Sequence, residues 1–283
     1  MSKNNRLFLF AAYDSNGVID DALVYYISSL AKLGDVIVCI DYDCAKSEIN
    51  KLKPYSIHQI ANRHGEYDFG SYKRCFQYAR DYDLLKNYEY VYLVNDSVFG
   101  PMYDISGLIN KMEANSKDAV GIIKSQHKTH AFMESWFVRL NKKVFLTQWF
   151  DEFLSTVQTE QRKSTITIKY EHGLTNLVAQ HKCSWDGIYA IYGRKTYNNP
   201  KYLFKHGCPF IKKASFTRHA GALGNQIKYI FKHSNKNAVK AVMTTANRMY
   251  GKEYMKHFLT YNPLKILWRT ITYGITKIKN GAI

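Results

Sequence analysis

Apolar and polar positions follow two alternating periods over the first 125 residues. Leu7 to Ala12 is an unbroken apolar run, the pattern of a strand covered on both faces. The stretch from Asp20 to Gly34 then spaces its apolar residues three and four apart behind an acidic start, which predicts a helix closed by Gly34. The two patterns recur. Residues 36–43 read as a second buried strand ending in acids and 56–62 as a third, while 69–85 reads as a helix with Tyr72, Cys75, Phe76, Ala79 and Tyr82 at helical spacing. Val91 to Val94 is a fourth strand, 104–114 a helix and 119–125 a further strand. Such alternation predicts a mostly parallel sheet with crossover helices, the doubly wound α/β class.

The second half is less regular. Residues 135–145 read as a strand running into a helix, 148–157 and 174–180 as helices, and 185–192 as a strand. From residue 225 the pattern changes again. Lys228, Lys232, Lys236 and Lys240 recur every four residues, so on one helix they form a basic stripe. Pro263 opens a last predicted helix with Leu264, Leu267, Trp268, Ile271, Ile275 and Ile278 on one face and Lys265, Arg269 and Lys279 opposite. That is the pattern of a helix lying in a membrane interface.

Charge sharpens this division. Eleven of the 40 basic residues and one of the 23 acidic ones lie after residue 224, so this tail carries +10 of the net +17. A tail of that kind suits nucleic acid or an anionic membrane. Its Trp, Leu and Ile, and the absence of a nucleic-acid motif, favour the membrane, and no nucleic-acid partner is expected. The five cysteines, odd in number and without C-x-x-C spacing, fit neither a disulfide framework nor a zinc site and point to a reducing cytosol. The apolar run at 7–12 is too short for a signal-peptide core, and no run of about 18 apolar residues offers a membrane span.

The fourth strand ends in Asn95-Asp96-Ser97 and then Gly100-Pro101. These residues make turns, yet the carboxyl end of a parallel strand is also where open α/β sheets bind ligands. Upstream, Asp68 and Gly70 stand at the start of a predicted helix, where exposed amides suit phosphate and a glycine allows close approach. Asp68 fits a sugar hydroxyl or a cation, or caps the helix.

The segments NRHGEYDFGSYKRC (62–75), LVNDSVFGP (93–101), YEHGLTNLV (170–178) and HGCPFIKK (206–213) together resemble the rhamnan synthesis protein F family of bacterial polysaccharide glycosyltransferases. The resemblance covers about residues 6–218. It implies a GT-A-like domain over 1–224, followed by a basic amphipathic tail over 225–283. It further implies a nucleotide-sugar donor such as dTDP-rhamnose, a lipid-linked glycan acceptor, and work on a cell-surface polysaccharide (O-antigen, capsule or rhamnan). The place is then the cytoplasmic face of the membrane, with the tail on its surface.

GT-A-like enzymes hold a divalent cation, Mg²⁺ or Mn²⁺, on an Asp-x-Asp motif. The corresponding segment has one carboxylate, Asp96, with Asn95 and Ser97 beside it. An inverting transfer needs a base for the acceptor hydroxyl. Glu171, before the predicted helix 174–180, is the leading candidate, because a helix N-terminus keeps a carboxylate ionised; His172 and Asp186 are the alternatives. His206 and Lys212 are placed to meet the departing diphosphate. A catalytically silent scaffold of an assembly complex is the competing reading, since the second Asp is missing, and a nucleic-acid binder is the third.

Overall fold

The computed structural model describes residues 5–127, 130–193, 195–218 and 222–260, with 263, 264, 267, 268 and 271 beyond them. The chain divides into two compact units, Met1–Asp96 with Ile105–Tyr192, and Ser97–Asp104 with Gly193–Ile283.

The first unit is built on an eight-stranded sheet. β1 (Arg6–Ala12), β2 (Asp35–Ile40), β3 (His58–Ala61) and β4 (Tyr90–Asn95) are mutually parallel in the order β3-β2-β1-β4. The two-residue β5 (Val98–Phe99) belongs to the other unit. Beyond β4 the direction changes. β6 (Ala119–Gln126) is joined to β4 through an antiparallel strand, β8 (Phe137–Asn141), and the short β7 (Ala131–Met133) pairs antiparallel with the far half of β6. β9 (Trp185–Tyr192) pairs parallel on the other side of β6. The α/β class and the mostly parallel, helix-flanked sheet agree with the sequence pattern; the antiparallel pair is an addition to it.

The unbroken run of β1 has a simple cause. Leu7, Leu9 and Ala11 face the helix Tyr67–Asp81, which buries Phe69, Tyr72, Cys75, Phe76 and Ala79 against them. Phe8 and Phe10 point the other way, Phe8 stacking on Tyr92 at 4.8 Å and Phe10 meeting the edge of Tyr26, on the helix Asp21–Leu30, at 5.1 Å. With both faces covered, no polar position is tolerated between them.

In the second unit β5 pairs antiparallel with β10 (Ile211–Lys212). Phe216 is fully buried, with Phe99 at 5.0 Å and Tyr250 and Phe258 each at 5.9 Å. The helices Leu223–Lys232, Lys236–Tyr250 and Lys252–Phe258 bury Ile227, Ile230, Val242, Ala246, Met255 and Phe258. Gly224 permits one close crossing: a Cβ there would lie 1.9 Å from the Phe258 carbonyl oxygen. The predicted four-lysine stripe is broken. Asn235 caps the second helix by accepting from the Asn237 and Ala238 amides, so Lys228 and Lys232 lie on one helix and Lys236 and Lys240 on the next. Leu264, Leu267, Trp268 and Ile271 are exposed, whereas Ile275, Ile278, Lys265, Arg269 and Lys279 fall outside the described residues. No described helix is long and apolar enough to cross a membrane.

Candidate active site at the carboxyl edge of the sheet

β2 delivers Asp41, a carboxylate only 4% exposed, to the end of the parallel strands. Its Oδ1 accepts from the amides of His64 (2.7 Å) and Gly65 (2.9 Å), and its Oδ2 pairs with Arg63 at 3.1 Å. His64 Nδ1 accepts from the Glu66 amide at 3.1 Å, which assigns the ring proton to Nε2, facing the Ser71 hydroxyl at 3.0 Å. Glu66 in turn is held by Lys73 at 2.6 Å and Arg74 at 2.8 Å. Arg63 and Lys73 are thereby engaged in building the loop 62–66. That loop ends in Tyr67, a non-glycine residue at φ 56° that is 45% exposed, next to Asp68. A β-substituted residue held in the left-handed region beside a candidate site is a strain worth noting, and Tyr67 is exposed where its neighbours Phe69 and Tyr72 are buried.

Gly70 has a different role from the one its position suggested. Its amide already donates to the Glu66 carbonyl (3.2 Å), so it offers nothing to a phosphate. A Cβ on Gly70 would sit 2.2 Å from Glu66 Cβ. The glycine makes room for the fixed glutamate.

The centre of the arrangement is a hydrogen-bonded path through the first unit. Asn95, 2% exposed at the end of β4, donates from Nδ2 to Asp68 Oδ2 at 2.8 Å and also meets the Tyr72 hydroxyl. Asp68 is therefore aimed by Asn95 and is not the cap of its helix. Tyr72 donates its hydroxyl to the Ser135 carbonyl at 3.0 Å. Ser135 then donates twice to one oxygen of Glu171, from its amide at 2.8 Å and its hydroxyl at 3.0 Å. Burial, followed by the carboxylate of Asp68, pushes the Tyr72 phenol well above its ordinary pKa, and Glu171 acts in the same direction. Tyr72 thus stays a neutral donor between the two acids.

Glu171 is not at a helix N-terminus. Residues 163–180 are continuously helical, with a wide π-type stretch Thr167–His172 leading into the helix Gly173–Gln180. His172 and Gly173 keep right-handed helical angles, so Gly173 starts nothing. What steadies the carboxylate is Ser135 and not the helix dipole. One turn on, Thr175 Oγ1 accepts from the Met133 amide at 3.0 Å, so Glu171 and Thr175 hold the amides of Ser135, in the turn after β7, and of Met133, at its end.

The remaining predicted residues scatter. Asp96 is half-buried directly after β4, its amide bonded to the Ala11 carbonyl at 3.1 Å, which places its carboxylate at the sheet's carboxyl edge. His172 packs on Phe132 (3.9 Å) and His130 (5.3 Å), and burial, with His130 and His127 adding to it, lowers its pKa. Asp186 sits level with Val120 and Arg139, three positions short of Asn95 in the ladder, and pairs with Lys124 at 3.1 Å; the structure does not bring it to Glu171. In the second unit, Lys212 on β10 is 8% exposed and reaches Ser97 Oγ at 3.4 Å, while exposed His206 turns back on its own helix, Nδ1 lying 2.8 Å from the Tyr202 carbonyl. Ser135 and Thr175 carried no sequence signal, because their partners are distant in the chain, and Asp41 stood out only as one of the acids that end the second strand.

The model of a family described as rhamnan synthesis protein F matches residues 36–272. The match therefore begins after β1 and runs through most of the basic tail, beyond the 6–218 span of the recognised segments. No curated protein matches the sequence. Among solved structures, a protein described as a nucleotide-diphospho-sugar transferase from Desulfovibrio desulfuricans G20 aligns at 16% identity and TM-score 0.44, over 88% of this chain and 99% of that one. The glycosyltransferase GlyE of Streptococcus pneumoniae TIGR4 aligns at 11% and 0.37, over 73% and 50%. Core-mannan synthase A of Aspergillus fumigatus, in an Mn/GDP form, aligns at 11% and 0.33, over 54% and 63%.

Proposed function

The chain belongs to the rhamnan synthesis protein F family, and on that premise we propose that it is a glycosyltransferase acting from a nucleotide-sugar donor on a growing surface polysaccharide. The donor sugar is rhamnose or another deoxysugar, carried as dTDP-rhamnose or a similar nucleotide, and the acceptor is a lipid-linked glycan. The observation that carries this reading is the buried path Asp68–Asn95–Tyr72–Ser135–Glu171, which fixes two carboxylates at the edge where α/β sheets bind ligands.

Each acid has a part in the transfer. Glu171 takes the proton of the acceptor hydroxyl as that oxygen bonds to the anomeric carbon and the bond to the donor diphosphate breaks, with inversion. Asp68 and Asp96 face the donor. The oxygen donors at this edge suit a hard cation, and Asp96 would hold Mg²⁺ or Mn²⁺ there; the described residues contain no cluster of three or more His, Cys, Asp or Glu that could hold a metal ion. When bound, such a cation would supply charge to offset that building on the leaving diphosphate.

The protein works at the inner face of the cytoplasmic membrane. Support comes from the exposed Leu264, Leu267, Trp268 and Ile271 (76, 57, 68 and 47% exposed) in a segment rich in cations. Replacing Leu267 and Trp268 by Ser should cut cosedimentation with anionic vesicles; undiminished binding refutes that attachment.

A donor screen tests the reaction. Wild type should release nucleoside diphosphate in the presence of acceptor and Mg²⁺ or Mn²⁺. Asp96→Asn should lose the donor-induced thermal shift, and Glu171→Gln should keep it while turnover falls by about 10²–10⁴. No turnover and no thermal shift with any of a panel of donors would sink the proposal.

A further inference from the structure

At the opposite, amino edge of the same sheet lies a second polar cleft, of about 310 Å³, lined by Lys117, Arg139, Lys142 and Lys143 together with Glu89 and Glu113, among others. Its two carboxylates are already engaged. Glu113 is chelated by Arg6 at 2.6 and 2.8 Å and accepts the Tyr92 hydroxyl at 2.6 Å; Glu89 pairs with Lys142 at 2.5 Å.

Arg139 is the unusual member. It is 2% exposed, and among the described residues no carboxylate lies within ion-pair distance of it. Two of its N–H donors are matched, from Nη2 to the carbonyls of Asn115 (3.0 Å) and Lys117 (2.7 Å), and the guanidinium lies over the Tyr90 ring at 5.1 Å. Its Nε has no partner. A guanidinium carries five donors, and burying it without an anion is among the more costly arrangements a core can hold. Burial lowers its pKa. Lys117 and Lys143 add two further cations at the rim, the second 3.9 Å from Asp118, whose other oxygen is taken by Ser184.

We propose that this cleft binds a phosphate group, as inorganic phosphate or as the phosphate of a small ester. A carboxylate has two oxygens and one charge. A phosphate presents three or four oxygens and close to two charges, enough to meet the remaining N–H donors of Arg139 and both lysines together. The volume lies at the small end of ligand sites, which suits a phosphate with little more than a sugar attached. The site is separate from Asp96, so it stands or falls independently of the transfer reaction.

The experiment is a titration of the full chain with inorganic phosphate and with pyrophosphate, read by calorimetry and thermal shift, with ionic strength held constant by chloride. Wild type should show saturable binding, and the surface double variant Lys117→Gln/Lys143→Gln should weaken it at least about ten-fold, as expected for two charged contacts. Asp96→Asn should leave it unchanged. Sedimentation with anionic phospholipid vesicles separates the sources: equal recovery of wild type and double variant marks a soluble phosphate, and preferential recovery of wild type marks a headgroup, each supporting the phosphate site. Three results overturn it: phosphate no better than chloride, a double variant that titrates like wild type, or binding lost in Asp96→Asn.

Discussion

Ser135→Ala is the sharpest probe of the base. Ser135 gives Glu171 two hydrogen bonds on one oxygen, 2.8 Å from the amide and 3.0 Å from the hydroxyl, and alanine removes only the second. A hydrogen bond to a charged group is worth about 1.5–3 kcal/mol. Its loss no longer favours the ionised form, and at 1.36 kcal/mol per pKa unit the carboxylate should become more basic by about one to two units. If Glu171 is the base, the acidic limb of kcat/KM against pH reports it, and that limb should move up by about one to two units. The donor-induced thermal shift should not change, because Asp68 is aimed by Asn95 and not by the serine hydroxyl. The assay is nucleoside diphosphate release between pH 5 and 9. Ser135→Thr, which keeps a hydroxyl, should restore the limb. An unmoved limb in a folded Ser135→Ala protein refutes the idea that this serine sets the base.

Two further predictions concern stability. Gly70→Ala should destabilise although alanine favours helices by about 1 kcal/mol, because the new methyl meets Glu66 Cβ at 2.2 Å while Glu66 is tied to Lys73 and Arg74; calorimetry showing an equal or higher Tm would contradict it. Burial lowers the pKa of both His58 and His172, the latter also through His130 and His127. The unfolded chain therefore takes up protons near pH 6.5 while the folded one resists, so stability should fall as pH drops below about 6.5, and His172→Gln should flatten that slope in urea titrations. A slope identical to wild type would remove His172 from the account.

The readable parts of the chain were those whose local pattern had one physical meaning. Leu7 to Ala12 is apolar throughout because helices cover both faces of β1, and Tyr72, Cys75, Phe76 and Ala79 repeat because one helix face meets that sheet. Strand direction is not written in a period, so the antiparallel β8 was legible as a strand but not as a reversal. β5 and β10 are two residues each and pair across more than 100 positions. The candidate site divides in the same way. Asp68, Asn95, Asp96 and Glu171 stand in recognisable segments, but what aims them does not. Gly70 serves Glu66, and Ser135 replaces the helix dipole at Glu171, because both effects come from tertiary neighbours.

The double grip of Glu171 and Thr175 on Ser135 and Met133 has a dimensional consequence. Four residues advance a helix by about 6 Å, and two residues of extended chain reach at most about 7 Å. The pairs Glu171 with Ser135 and Thr175 with Met133 thus work as two rulers laid in opposite directions with nearly matching graduations. One residue added or removed between 133 and 135, or between 171 and 175, puts the two marks out of step with each other, by up to about 3.5 Å along the extended chain or about 1.5 Å on the helix. A point change here removes one contact and leaves the other in place, but a change of length stops the two from forming together, so it is spacing along the chain that this edge holds fixed.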